Sequence, residues 1–154
     1  VAPALPSVDG APGTYRGDQH VLFQPSGATN RLYDEPYTRQ ISYISVNTNL
    51  FHNIPLYTGE TRLVLGLFPN ATYTTVVERV QRDANEVMTI SGRINGEQMS
   101  TFTLAENGGR IIATLTDMAN GRVFRIKYVA MRQEHVVTEY DPTTMPARYD
   151  EHLR

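Results

Sequence analysis

Ile94-Asn95-Gly96-Glu97, Glu106-Asn107-Gly108-Gly109 and Ala119-Asn120-Gly121-Arg122 are the three corners that decide the fold. Each Asn-Gly pair separates two runs of alternating apolar and polar residues. Asn-Gly is the pair favoured in a type I′ hairpin because both central positions need positive φ. Three such hairpins in succession predict a four-stranded antiparallel meander. Two-residue turns also fix the pairing, placing Ile94 opposite Glu97, Glu106 opposite Gly109 and Ala119 opposite Arg122. Side chains that face each other lie on one side of a sheet. One face therefore carries Val87, Phe102, Leu104, Ile111, Ala113, Leu115, Phe124, Ile126 and Tyr128, an almost unbroken apolar surface that reads as the core side. The other carries Thr101, Thr114, Thr116, Arg125 and Lys127 and reads as solvated.

One row on that second face is out of character. With these registers Met88 lies opposite Thr103, Thr103 beside Ile112 and Ile112 beside Val129, a semi-apolar stripe across a polar surface. Two readings stand: the N-terminal arm or a strand from the first half covers it, or it is a docking surface for another chain.

Outward from the corners, further period-two runs predict strands over 39–46, 62–68, 72–80, 87–94, 98–105, 110–116, 122–129 and 134–140. Thr72 to Arg82 has some helical spacing in Val76, Val77 and Val80, but its β-branched content favours a strand. Residues 1–36 are rich in Pro, Gly, Ser and Asp and read as an extended N-terminal arm. Its apolar island, His20-Val21-Leu22-Phe23, has the composition of a single strand, and Val21, Leu22 and Phe23 are candidate contacts to a partner. Residues 37–146 form the β domain and 147–154 a polar tail. The expected class is all-β: an antiparallel meander forming a β-sandwich or a partly open barrel, with the arm extended from it.

A chain of 154 residues sustains one core. A formal net charge of -2, with no run of Lys or Arg, leaves no electrostatic reason to expect nucleic acid. The longest apolar runs, such as Leu63 to Phe68, fall far short of the roughly 20 residues a membrane-crossing helix needs, so no membrane span is expected. Cysteine is absent, which removes disulfides, thiolate metal sites and a cysteine nucleophile. The opening Val1-Ala-Pro-Ala-Leu-Pro lacks an initiator Met and resembles a mature terminus after removal of a signal peptide, which sets an expectation of a secreted, extracellular protein. Asn70-Ala71-Thr72 is a glycosylation sequon, with a plain turn as the simpler reading.

The sequence carries no recognisable catalytic or metal-binding motif. His20, His52, His135 and His152 do not share a zinc-binding spacing, and His135 and Glu139 are same-face neighbours two pleats apart on one strand, too distant for easy shared ligation. No Gly-x-Ser-x-Gly elbow or phosphate-cradling Gly-rich loop occurs. Asp34-Glu35 and Asp150-Glu151 are adjacent in sequence and diverge rather than converge. The expectation is no catalytic residue, no metal and no cofactor. A small-ligand barrel would rest on strand count alone.

The runs Tyr43 to Leu50, Leu63 to Tyr73, Ile90 to Gly96 and Val123 to Tyr128, followed by His135-Val136-Val137-Thr138-Glu139-Tyr140-Asp141-Pro142, resemble the N-terminal pro-region of secreted bacterial metzincin (reprolysin-like) zinc metalloproteases. The resemblance covers about residues 38 to 146. It implies a non-catalytic module that assists folding of a metzincin catalytic domain or holds it latent. No catalytic residue carries over, and without Cys a cysteine switch is ruled out, leaving a carboxylate such as Asp141 or steric blockage on the zinc side. The alternative expectation is a self-assembling extracellular subunit of a filament, surface layer or adhesin, whose partners are copies of itself and whose arm adds as a strand to a neighbour.

Overall fold

The computed structural model describes residues 19–26, 37–94 and 99–143. Residues 1–18 and 27–36 of the arm, the Asn95-Gly96 corner, Asp34-Glu35 and the polar tail with Asp150, Glu151 and His152 lie outside the described residues. Among the described residues nine strands run in chain order: β1 (Gln19–Pro25), β2 (Thr38–Val46), β3 (Arg62–Phe68), β4 (Ala71–Arg82), β5 (Met88–Ile94), β6 (Thr101–Asn107), β7 (Arg110–Asp117), β8 (Arg122–Val129) and β9 (Glu134–Tyr140). A 3-10 turn, η1 (Thr48–Phe51), follows β2. The all-β class stands, and the predicted strands fall on observed ones to within a few residues.

The strands close into a barrel in the order β1-β2-β9-β8-β7-β6-β5-β4-β3. Strands β3 to β9 form one meander of consecutive antiparallel neighbours, longer than the four strands the corners predicted. An odd number of staves in strict alternation cannot close, so one neighbouring pair must run parallel. That pair is β1 and β3, from Gln19↔Arg62 to Phe23↔Leu65, with a bulge between Val21 and Phe23. The antiparallel meander stands, and the parallel β1–β3 pair makes the closed barrel a mixed one. The apolar island of the arm is the stave that closes it: Leu22 and Phe23 are buried in the core, and the Phe23 ring meets Phe102 edge-on at 6.1 Å.

Alternation fills the interior. Leu63, Leu65 and Leu67 of β3, Ile90 and Ile94 of β5, Phe102 and Leu104 of β6, Leu115 of β7 and Phe124 and Ile126 of β8 all belong to one buried cluster. Leu50 and Phe51 of η1 join it, so the turn after β2 is spent on capping the core. The outer face of β2 and β9 is the exception to polar-out alternation. Ile44 and Val137 point inward, so Tyr43, Ile41 and Val136 point outward, yet all three are buried in a second small cluster with Val129 against it.

The corner registers differ from expectation in an instructive way. The second turn is centred on Gly108-Gly109, both at positive φ, with Asn107 paired to Arg110. The third is a four-residue loop that pairs Asp117 with Arg122. Both slips are by two residues, so every side chain keeps its predicted face. At the first corner Ile94 N–H donates to the Ser100 carbonyl, and Arg93 pairs with Thr101, a slip of three that exchanges the faces of β5. Met88 is therefore a buried core residue, opposite Glu106 rather than Thr103, and Val87 leaves the core side.

Candidate functional site

Buried charge inside an apolar barrel must be paired or hydrogen-bonded, so the interior carboxylates and imidazole are where a site would be found. They divide between the two ends.

At one end β9 turns Glu139 inward beside Gln40 of β2 and Phe124 of β8. Its carboxylate, almost wholly buried, accepts from Arg122 Nε and Nη2, both at 2.9 Å, from Gln40 Nε2 at 2.7 Å and from Arg39 Nη1 at 3.3 Å. This is the two-pronged geometry that guanidinium and carboxylate planes favour. Arg122 also stacks over Phe124 at 5.1 Å and donates to the Asn70 carbonyl. Burial opposes ionisation of Glu139, but the Arg122 and Gln40 hydrogen bonds outweigh it and hold the carboxyl below its ordinary range.

Next to this pair, Tyr73 of β4 donates its hydroxyl to Asp117 Oδ2 at 2.8 Å. Asn120 closes the loop after β7 by donating its side-chain amide to Oδ2 and its backbone N–H to Oδ1. Burial of Asp117 is again overcome, here by Asn120 and Tyr73, and its pKa is lowered. Burial, followed by the hydrogen bond to Asp117, raises that of Tyr73. Every charged group in this network is therefore committed to a neighbour on another strand or loop, an arrangement that fixes strand positions. Tyr73→Phe removes one hydrogen bond to a charged acceptor and should cost about 2 kcal/mol. The check is a urea titration at pH 7, in which an unchanged midpoint would deny the Tyr73–Asp117 bond any role.

At the other end β6 turns Glu106 inward and β9 turns His135 inward. Glu106 is buried, its Oε2 accepts the Gly109 N–H at 2.9 Å and stands 3.6 Å from His52 Nε2, while its Oε1 has no partner among the described residues. His135 Nε2 accepts the Ile111 N–H at 3.0 Å, and its ring lies edge-on to Tyr128 at 5.1 Å. A cleft of about 470 Å³ opens at this end, lined by the buried Glu106 and Ile111 as well as by Ile112, Lys127, Tyr128 and Arg110.

The structure disperses the residues singled out from sequence. Of the expected stripe, Met88 is interior, Thr103 faces Ser91 and Thr114 on the outer wall, Ile112 is half exposed beside Ala105 and Lys127, and Val129 packs against the outward β2–β9 cluster. The row is not formed, because the slipped registers separate its members. Leu22 and Phe23 are core residues and only Val21 is exposed. Asp141 lies just past β9, where its Oδ1 accepts from Thr143 Oγ1 and N–H and pairs with Arg39 at 3.3 Å. The Thr143 hydrogen bonds, joined by Arg39, lower its pKa. Asn70 is exposed in the β3–β4 turn, with its Oδ1 accepting from Gln40. His135 and Glu139 are tied to opposite ends of the interior by Ile111 and Arg122, and among the described residues no group of three or more His, Asp or Glu stands together to hold a metal ion.

Sequence reasoning missed the Glu139–Arg122 pair and the role of Glu106. The available signal was Glu139 on the inward phase of β9, in register with Val137. No helix among the described residues is long and apolar enough to cross a membrane. Protein-family models, curated proteins and solved structures all give no match to this chain.

Proposed function

We propose that this barrel is a non-catalytic, extracellular module that works through its outer surface, as a pro-domain that assists folding of a metzincin-type metalloprotease or holds it latent. The observation that carries the reading is where the interior chemistry goes. Glu139, Asp117 and Tyr73 are engaged with Arg122, Asn120 and each other, and His135 with a backbone amide. A core packed by aromatic and aliphatic side chains from all nine staves leaves the outer wall as the working surface. The runs that resemble metzincin pro-regions fall on two groups of neighbouring staves, β3, β4 and β5 on one side and β8, β9 and β2 with η1 on the other.

The self-assembly alternative draws less support from the arm's apolar island, because that stretch is spent at home as β1. Leu22 and Phe23 are 1% and 0% exposed within their own barrel. Withdrawing them to pair with a neighbour would forfeit roughly 1.5–3 kcal/mol for each side chain.

The test is to add the full chain in trans to a refolding reprolysin-like metzincin catalytic domain encoded with it or beside it. The reading expects a stoichiometric fall in peptidase rate or a severalfold gain in refolded yield. If rate and yield both stay flat at micromolar chain, or if no metzincin is encoded nearby, the proposal fails. A sedimentation profile showing concentration-dependent polymers would instead favour the structural subunit.

A further inference from the structure

The barrel wall parts at one end of the β7–β8 seam. The β7–β8 ladder stops at Ile112↔Lys127, while β7 stays paired with β6 as far as Arg110 and β8 stays paired with β9 as far as Val129. The start of β7 and the end of β8 therefore diverge over two residues each. A side chain, rather than backbone, spans the opening. His135 reaches from β9 past β8, and its Nε2 takes the Ile111 N–H at 3.0 Å. Tyr128 backs the imidazole edge-on at 5.1 Å, and Arg110 lies 5.0 Å from the Tyr128 ring centre. The 470 Å³ cleft lies over this spot, sharing Arg110, Ile111, Lys127 and Tyr128 with it.

We propose that His135 is a proton-operated latch: neutral, it ties β9 to β7 and shuts the split between β7 and β8; protonated, it releases Ile111 and the split opens into the outer cleft.

The chemistry is that of imidazole. A neutral ring has one donor nitrogen and one acceptor, so accepting at Nε2 places the proton on Nδ1. An imidazolium has two donors and no acceptor, so it sets N–H against the Ile111 N–H. A buried amide left without an acceptor is costly, which makes opening toward water the relief available to this corner. The titratable groups facing the ring are Tyr128 from β8, Arg110 from β7 by way of Tyr128, and Glu106 from β6 at the same end of the interior, beyond Ile111. Glu134 precedes it on β9, His52 after η1 stands at Glu106, and β2 presents the apolar Ile44 opposite it.

Burial holds the His135 pKa below its ordinary 6.5. The sign follows. With the folded value below the unfolded one, the unfolded chain binds the extra proton first. Stability is complete above about pH 6.5 and declines as pH falls toward the folded value. The latch therefore works on the acid side of pH 6.5, independently of which partner the outer wall takes.

The test uses the isotopically labelled full chain between pH 7.5 and 5.0, following the His135 ring nitrogens and the exchange of backbone amides corrected for their intrinsic pH dependence. His135 should titrate with a midpoint below 6.5, and Ile111 protection should fall at least tenfold along the same curve. Leu104 and Leu115, further down the barrel, should keep theirs. His135→Gln offers a neutral acceptor at every pH, so its Ile111 protection should not vary across the range. The latch is overturned if Ile111 protection in the wild-type chain does not track His135, a measurement that needs no variant to fold. It is overturned equally if His135→Gln shows the same acid-induced loss.

Discussion

Arg122→Met should lower stability by about 3 kcal/mol at pH 7, the lower end of what breaking a buried ion pair costs, and lower the melting temperature by about 6–12 °C for a chain of this size. The loss comes less from the missing contact than from what is left behind. Glu139 remains 2% exposed, facing Phe124 inside the barrel, with two of its four close donors gone. Gln40 and Arg39 still reach it, which keeps the cost from the upper end of the range. Met replaces much of the stem that covers Phe124, so packing is nearly conserved and the effect reports on charge.

The pH dependence separates this account from a packing defect. In the wild-type chain the folded pKa of Glu139 lies below its ordinary 4.5, and that of Asp117, lowered against its burial by hydrogen bonds from Asn120 and Tyr73 and to a lesser extent by Arg122, below 3.8. Carboxylates shifted down contribute stability that is present above their unfolded pKa and is lost as pH falls through the folded one. Without Arg122 the Glu139 carboxyl takes up its proton at higher pH, so the gap between variant and wild type should shrink as pH falls below about 4.5. Urea titrations at pH 7 and pH 3.5 measure both quantities. A gap that stays constant with pH would mean that Arg122 acts through its hydrocarbon stem alone. Adding Glu139→Gln to Arg122→Met should recover about 1 kcal/mol, because the charge that lost its partner is gone as well.

The wall of the barrel was legible in the sequence because its signals are local, and the ends were not because theirs are remote. Alternation over β6, β7 and β8 assigns the correct side chains to the core, except Tyr128, which is half-buried at the cleft, even though both intervening turns differ from expectation. A slip of two residues moves partners along the strand without changing sides. At Asn107 the turn is centred one residue later because Gly109 offers a second position tolerant of positive φ. At Asn120 the Asp117 carboxylate captures the asparagine and lengthens the loop, a preference the dipeptide alone does not report. At Asn95 the slip is odd, and the whole of β5 is turned over with it. That single error created the stripe through Met88 and Thr103. Closure by β1 was beyond local reading altogether, because a parallel pairing with β3 across more than 40 residues leaves no turn to mark it. The Arg122–Glu139 pair has the same character: each half is an ordinary charged residue until the barrel brings β8 and β9 together.

Gly92→Ala should cost about 3 kcal/mol or more, at or beyond the upper end of what overpacking a well-filled site usually costs, although the residue sits in a strand that alanine tolerates better than glycine does. Gly92 lies in β5 between Val77 of β4 and Phe102 of β6, where β4 carries a bulge between Val77 and Arg79. A bulge bends its strand and disrupts the ladder locally, and beside it the Val76 carbonyl oxygen lies against the face of Gly92. A Cβ at this position would stand 2.5 Å from Thr75 Oγ1 and closer still to that oxygen. Neither atom yields cheaply: the oxygen is main chain in the β4–β5 ladder, and the Thr75 hydroxyl is fixed by donating to the Arg93 carbonyl at 2.8 Å. Relief would require the bulge to unwind, which would shift the registers of Val77 and Val80 against β5 and disturb the packing of Phe102 and Phe23 behind it. Gly59→Ala is the matched control. That glycine has φ +80° and nothing within 4 Å of an added Cβ, so its substitution carries conformational strain without collision, about 1 kcal/mol. Equal losses in the two variants would show that Gly92 is an ordinary strand glycine and that the close approach of β4 and β5 does not shape the barrel. A loss at Gly92 at least twice that at Gly59 places the tightest point of the wall at the β4 bulge.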